Sequence, residues 1–334
     1  AHLNRIVQFN QRAENPTAWE LDIRTGPDFL DRLLRERPGN VLVLSGRNRG
    51  KIDRIQAAVE AGLNVLADKP WIIRPDDLPK LEAALDAADR KGLVAYDIMT
   101  ERFEITSLLQ RELVNDAATF GAAGKGTAAE PAVYMESVHY LMKTVAGAPL
   151  LRPAWFFDIE QQGEGLSDVG THLVDLVQWT LFPEQALDYR AEIGLVAAKR
   201  WPTVLSPADF QRVTGQALPG DRLEYYCNTQ VSYTVRGIHA KLDVLWNYEA
   251  APGTGDTHYA VYRGGRSRVE VRQGAPQNYR PEIYVVPNTP ADQPAVLAAV
   301  RKKVDALQAQ YPGIGVEDLG REIMLVIPDR YRVG

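Results

Sequence analysis

The protein has 334 residues, of which 45% are hydrophobic, and its formal net charge is −5. This length can bury a large core and is typical of two domains, or of one domain with a large appendage. The small, mixed charge argues against a nucleic-acid partner. The lack of a long apolar run argues against a membrane span, and the single cysteine, Cys227, excludes an internal disulfide.

The first hundred residues alternate between helices and short strands. Helices are predicted over 26–36, 50–61 and 75–91, and strands over 40–45, 63–67 and 93–97. Short apolar strands separated by helices of ten or more residues indicate βαβ units and a parallel sheet.

The predicted elements at the two ends of the sequence lack the neighbours that such elements usually have. The chain begins on a predicted helix, AHLNRIVQFNQRA, and closes on a predicted strand, IMLVIPDRYRVG, with nothing to cover it. A dinucleotide-binding fold places its phosphate loop after the first strand, yet the sequence contains no G-x-G-x-x-G motif. We therefore expect further chain beyond both ends, with about 30 residues, one βαβ unit, before Ala1. The cytoplasm is the expected compartment, although an incomplete start leaves room for an export signal.

The pattern changes after about residue 100. A helix is predicted over 103–114, and helices over 169–181 and 290–310 accompany longer, partly alternating segments. These segments are 131–136, 153–159, 189–198, 223–235, 238–248, 257–263 and 267–273. Because several are joined by short turns, they indicate a mostly antiparallel sheet. The predicted fold is therefore α/β: a Rossmann-like nucleotide-binding domain over 1–100, and an α+β domain for substrate binding and oligomerisation over 101–334.

Lys69 is the first candidate for chemistry. It follows the predicted strand LNVLA and lies between Asp68 and Pro70. Ligands of open α/β sheets bind at the carboxyl ends of the strands. An ammonium there can orient a substrate hydroxyl and stabilise developing negative charge. A solvated turn lysine is the alternative interpretation.

The second candidate is the segment GEGLSDVGTHLVDLVQW, residues 163–179. Asp168 and His172 are four residues apart and share one face of a helix entry, so Asp168 could hold His172 while His172 transfers a proton. Gly163 and Gly165 would allow a ligand to approach the backbone. The alternative is an aspartate favoured by the helix dipole with a packed histidine behind it. Adding Asp175 gives the spacing of a metal site, but no further ligand cluster supports one, so we expect no metal.

Here the sequence resembles the Gfo/Idh/MocA oxidoreductase family. AGLNVLADKP is similar to that family's Glu-Lys-Pro segment, with Asp68 in place of the glutamate. GEGLSDVGTHLVDLVQW is similar to its glycine-rich Asp/His segment, with Glu164 in place of the middle glycine. LSGRN and ERF resemble two further segments, and Lys51 stands where the family often has histidine. Several other segments resemble a branch of oxidoreductases that has its own C-terminal domain.

The resemblance implies a role for each matched position. Lys69 would be the catalytic lysine, His172 the acid/base residue, and Asp168 both the partner of His172 and a substrate ligand. Five residues would line an NAD or NADP cofactor: Ser45, Gly46, Asn48, Asp68 and Pro70. Five further residues are candidates for substrate binding, each with a structural alternative: Arg102, Glu136, His139, Trp155 and His258.

The predicted function is NAD(P)-dependent oxidation or reduction of a sugar, cyclitol or related polyol. Two alternatives remain: an NAD-dependent glycoside hydrolase on the same fold, and a non-catalytic ligand-binding homologue. The expected partners are a small sugar-like molecule and further copies of the chain in a dimer or tetramer, with neither nucleic acid nor membrane.

Overall fold

The computed structural model describes residues 2–145 and 148–332. It contains a three-stranded parallel sheet and a nine-stranded, mostly antiparallel sheet, so the predicted fold class is confirmed. No helix within these residues combines the length and the apolar character that crossing a bilayer requires.

The parallel sheet has the order β1-β2-β3, with helices between its strands. The elements are α1 His2–Gln11, α2 Phe29–Glu36, β1 Val41–Leu44, α3 Lys51–Glu60, β2 Asn64–Asp68, α4 Leu78–Arg90 and β3 Ala95–Ile98. Apolar residues at helical spacing turn one face of α3 toward the sheet, where Ile52, Ile55 and Val59 pack with Val65 and Ala67 of β2. All three strands end at the same edge, immediately before Ser45, Lys69 and Met99.

The second part of the chain is built around the large sheet. Its first elements are α5 Ile105–Val114, β4 Val133–Met142, β5 Thr144–Val145, β6 Ala148–Pro149, α6 Ile159–Gln162, α7 Thr171–Leu181 and α8 Tyr189–Glu192. The later elements are β7 Ile193–Leu205, α9 Pro207–Thr214, β8 Leu223–Val235, β9 Ile238–Glu249, β10 Thr257–Arg263, β11 Ser267–Gln273, β12 Glu282–Pro287, α10 Gln293–Leu307, β13 Gly315–Asp318 and β14 Ile323–Val326.

The large sheet has the order β13-β14-β12-β11-β10-β4-β9-β8-β7. The inner strand β4 pairs antiparallel with β10 and parallel with β9. Helices α5, α7 and α10 pack on the sheet and contribute Leu109, Val177 and Val300 to its core. Because β4 is paired on both sides, its position and register are fixed, and its side chains alternate between the two faces.

Three expectations about this part are wrong. Residues 153–159 form a 3₁₀ turn over Ala154–Phe157 rather than a strand, because the Asp158 side chain accepts a hydrogen bond from the Glu160 amide and starts α6. The predicted strand at 189 begins with the short helix α8, capped in the same way by Asp188. The last strand is not uncovered, since β14 pairs with both β12 and β13 and buries Ile323 and Leu325.

Candidate active site

Lys69 and Asp168 form an ion pair between the two parts of the chain. Lys69 follows the last residue of β2, and its peptide bond to Pro70 is cis. The Lys69 ammonium lies 3.1 Å from Oδ1 of Asp168 and also donates to the Asp168 main-chain oxygen. The two side chains are only 14% and 15% exposed, so solvent screens this contact weakly. Lys69 is therefore held in place and is not a freely solvated turn lysine.

A distorted turn at the start of α7 presents Asp168. Residues Leu166–Gly170 form a turn of π-helix directly before the regular helix, a geometry that recurs at functional sites. Asp168 uses this turn to reach Lys69, and it makes no hydrogen bond with His172. Its predicted pairing with His172 is therefore replaced by a pairing with Lys69 in the described part of the chain.

One cavity, lined largely by polar side chains, brings four of the candidate residues together. It has a volume of about 320 Å³ and lies between the end of β2, helices α5 and α7, and the large sheet. Four of the predicted residues line it: Lys69, His139, His172 and His258. Glu101, Ser137 and Asp256 line it as well, and no local sequence pattern indicates these three residues.

His172 enters the cavity as a neutral ring. Burial, together with the nearby Lys69 ammonium, lowers the pKa of His172 to about 4. Its Nδ1 is buried without a hydrogen-bond partner in residues 2–145 and 148–332. The imidazole is therefore not tied to a neighbouring side chain through this nitrogen. Burial likewise lowers the pKa of His258, also to about 4.

His139 is bound on both sides by protein groups. Its Nε2 lies 2.8 Å from Oγ of Ser137, and its Nδ1 lies 3.1 Å from Oδ2 of Asp256. The ring also stacks on Trp246, with 4.8 Å between the ring centroids. This is the order of a Ser-His-Asp triad, but the Ser137 main chain is paired inside the sheet on both sides and offers no oxyanion hole. The arrangement therefore fixes His139 in the cavity wall and does not assemble an acyl-transfer site.

Three predicted substrate residues lie outside this cavity. Glu136 precedes Ser137 in β4, so it faces the other side of the sheet, where its carboxylate accepts a hydrogen bond from Tyr134. Arg102 forms a two-pronged ion pair with Asp175 of α7. Trp155 packs against the core and lies 5.5 Å under the Arg47 guanidinium.

The two glycines at 163 and 165 serve packing instead of ligand approach. A Cβ atom at Gly165 would lie 1.8 Å from the main-chain oxygen of Cys227 in β8. A Cβ atom at Gly163 would lie 2.9 Å from side-chain atoms of Ile73 and Ser167. These glycines let the 163–170 segment pack directly against its neighbours, which fixes where Asp168 emerges.

The predicted cofactor residues after β1 divide into two groups. Ser45 and Gly46 are exposed at the end of the strand. Gly46 has φ +102°, and no atom of the described residues beyond its two chain neighbours lies within 4 Å of the position a Cβ would take. Asn48, in contrast, is buried, and its side-chain amide donates to the main chain of Gln162. Asp68 and Pro70 flank Lys69 in the turn that closes β2.

Comparisons of the sequence and the structure with known proteins identify the family of the chain. Residues 109–334 match the family model described as "Putative oxidoreductase C terminal domain". The chain belongs to this family of oxidoreductases. A crystal structure of a putative oxidoreductase from Parabacteroides merdae is 44% identical, with a TM-score of 0.93, over 100% of this chain and 78% of that chain. The prediction of an oxidoreductase enzyme is thereby confirmed.

More distant structures share the fold. A putative oxidoreductase from Thermotoga maritima is 15% identical, with a TM-score of 0.55, over 88% of this chain and 82% of that chain. A levoglucosan dehydrogenase in complex with NADH and levoglucosan is 14% identical, with a TM-score of 0.54, over 78% of this chain and 60% of that chain. No curated protein sequence matches the chain.

Proposed function

We propose that the protein is an NAD(P)-dependent oxidoreductase of the Gfo/Idh/MocA type, acting on a sugar, a cyclitol or a related polyol. The observation that carries the proposal is that Lys69, from the end of a parallel strand, and His172, from a helix of the following part, line one cavity. Residues 1–100 would then bind the cofactor, and 101–334 would bind the substrate. The likeness to a dehydrogenase described with NADH and levoglucosan supports this choice of cofactor and substrate class.

The residues at the end of β1 fit a nucleotide. Gly46 presents open backbone at a strand end, which is where dinucleotides bind in open α/β sheets. Ser45, Gly46 and the turn from Asp68 to Pro70 would hold the cofactor. When bound, NAD(P) supplies the acceptor or donor of hydride.

The side chains in the cavity supply the proton chemistry. In the oxidation direction, the imidazole of His172 takes the proton of the substrate hydroxyl. The low pKa of His172 keeps this ring uncharged at neutral pH, and only an uncharged ring can accept the proton. The Lys69 ammonium stabilises the negative charge that develops on the substrate oxygen, and Asp168 holds that ammonium in place.

A turnover panel tests the proposal. Sugars and cyclitols are incubated with NAD or NADP, and the reduced nicotinamide is followed by absorbance. On any substrate that the wild type turns over, we expect Lys69→Met and His172→Gln to lower kcat/KM by about 10²-fold or more. Lys80→Met and His239→Gln, at positions outside the cavity, serve as controls. Wild-type rates in the two cavity variants would show that the assigned mechanism is wrong.

A second cavity favours one alternative reaction. It has a volume of about 630 Å³ and shares Glu101, Glu104 and Pro281 with the first cavity. The exposed ring of Phe103 also lines it and could stack on a second sugar unit. This favours NAD-dependent cleavage of a glycoside as the second candidate function. Release of sugar from a glycoside without net formation of reduced cofactor would distinguish cleavage from simple dehydrogenation.

We also propose a homo-oligomer, a dimer or a tetramer. Strand β7 lies at one edge of the large sheet and exposes Leu195, Val196 and Val204. Exposed apolar residues on a long edge strand mark a surface for pairing. Light scattering should give a multiple of the monomer mass, and Leu195→Arg should reduce it if β7 lies in the interface.

A further inference from the structure

A hydrogen-bonded connection runs from the start of α3 to the end of β2. The buried Lys51 ammonium lies 2.7 Å from Oδ1 of Asn48 and 2.8 Å from the main-chain oxygen of Asp68. Asp68 is the residue directly before Lys69. Lys51 therefore fixes the backbone from which the Lys69 side chain starts.

A second connection runs from the same asparagine to the other partner of Lys69. Nδ2 of Asn48 lies 2.7 Å from the main-chain oxygen of Gln162, and Nε2 of Gln162 lies 3.2 Å from Oδ1 of Asp168. That same carboxylate oxygen binds the Lys69 ammonium. The contacts thus close into a positioning ring, which consists of Lys51, Asn48, Gln162, Asp168, Lys69 and Asp68.

Lys51 is difficult to explain by stability alone. The side chain is 1% exposed, and both acceptors of its ammonium are uncharged oxygens. The Asp68 carboxylate favours the charged form of Lys51 from a distance, but burial outweighs it. Burying a charge outside an ion pair is unfavourable, and an apolar side chain of similar length would avoid the desolvation penalty. Its geometric effect is specific, however, because its three N–H donors can bind two segments at once, and those segments lead to Lys69 and to Asp168.

We propose that Lys51, Asn48 and Gln162 are positioning residues that hold the Lys69–Asp168 pair over the cavity. The proposal rests on the proposed function in so far as Lys69 acts on the substrate. Small displacements of a reacting group lower the rate strongly, whereas they leave ground-state binding nearly unchanged. The expected signature is therefore a fall in kcat at nearly constant KM.

The first experiment needs no substrate. Lysines are labelled with acetic anhydride, and the labelling rate of Lys69 is measured by peptide mass spectrometry relative to the surface lysine Lys80. Removing a hydrogen bond that is worth about 1 kcal/mol should raise this ratio about fivefold in Gln162→Met, and similarly in Asn48→Ala. Gln161→Met is the matched control, because the side-chain amide of Gln161 donates to Asp158 and, within the described chain, to no member of the ring.

The second experiment separates positioning from folding. We expect Lys51→Met and Gln162→Met to lower kcat at least about tenfold, with KM changed less than about twofold. The control is Lys91→Met, since the Lys91 ammonium also binds main-chain oxygens, those of Val59 and Glu60, but lies outside the ring. Thermal unfolding of each variant identifies any that fail to fold.

The outcomes are distinct. Unchanged Lys69 labelling in both Gln162→Met and Asn48→Ala overturns the proposal, as does an equal change in Gln161→Met. Altered labelling in a protein that turns over no polyol leaves the positioning ring in place and removes the proposed function. Wild-type kcat in Lys51→Met and Gln162→Met, in a protein that does turn over a polyol, removes the positioning ring and leaves the function.

Discussion

The protonation of His172 gives the most specific prediction about the cavity. Burial and the Lys69 ammonium lower the pKa of His172 from the ordinary 6.5 to about 4. At about 1.4 kcal/mol per pH unit, this difference corresponds to about 3 kcal/mol in favour of the neutral ring. The folded protein should therefore resist protonation at His172 across the range in which an ordinary histidine becomes charged.

Replacing Lys69 with methionine separates the two causes. The nearby positive charge is lost while the burial remains, so the pKa of His172 should rise but stay below 6.5, because burial is the larger cause. The assay is a proton–carbon NMR titration of histidine-labelled protein between pH 3.5 and 8 (~0.5-unit steps), a range that spans both pKa values. His172→Gln assigns the resonance.

Two results would refute this reasoning. A wild-type His172 that titrates near 6.5 would show that the ring is solvated and not buried in the cavity wall. A titration that Lys69→Met leaves unchanged would show that the ammonium does not lie near the imidazole. Since the unfolded chain binds this proton at higher pH, a confirmed low pKa also means that His172 reduces stability as the pH falls from 6.5 toward 4.

Three further predictions concern stability. Gly165→Ala should destabilise the protein by about 1–3 kcal/mol, because the new methyl group would overlap the Cys227 main-chain oxygen. Gly39→Ala, whose methyl group would lie more than 4 Å from every described residue other than its chain neighbours, should stay within about 0.5 kcal/mol of wild type in thermal unfolding. Arg102→Met should destabilise the protein by about 2 kcal/mol, because it leaves Asp175 partly buried and unpaired. The KM should stay unchanged, and a raised KM would show that Arg102 binds the substrate. Burial lowers the pKa of Lys51 to about 8, so the unfolded state binds more protons than the folded state between pH 8 and 10.5. In denaturant unfolding, the free energy of unfolding of wild type should therefore rise by about 3 kcal/mol relative to that of Lys51→Met between pH 7 and 10.5.

Local sequence was enough to find the residues whose environment is local. Lys69 could be selected because a buried strand, a charged pair and a proline follow one another in the chain, and Asp168 and His172 because one helix entry holds both. The strands β8 to β11 were recognisable for the same reason, since alternation and short turns are properties of neighbouring residues.

Contacts between distant segments were not predictable from a single sequence. Asp256 meets His139 only because β10 pairs with β4, and the predicted strand over 131–136 ended just before Ser137 and His139. The π-helical turn brings Asp168 within hydrogen-bond distance of Gln162, and no residue pattern in the sequence predicts that turn. Glu136 was a candidate for substrate binding that lies outside the cavity, because one step along a strand moves a side chain to the other face of the sheet.

Calorimetric titration of the protein with NADH and with NADPH tests most directly the central claim that the protein binds a nicotinamide cofactor. We predict saturable binding of at least one of the two reduced cofactors, and weaker binding when Gly46→Val fills the open backbone at the end of β1. Absence of binding for both cofactors, in protein that is folded by circular dichroism, would contradict the account and favour a non-catalytic ligand-binding protein.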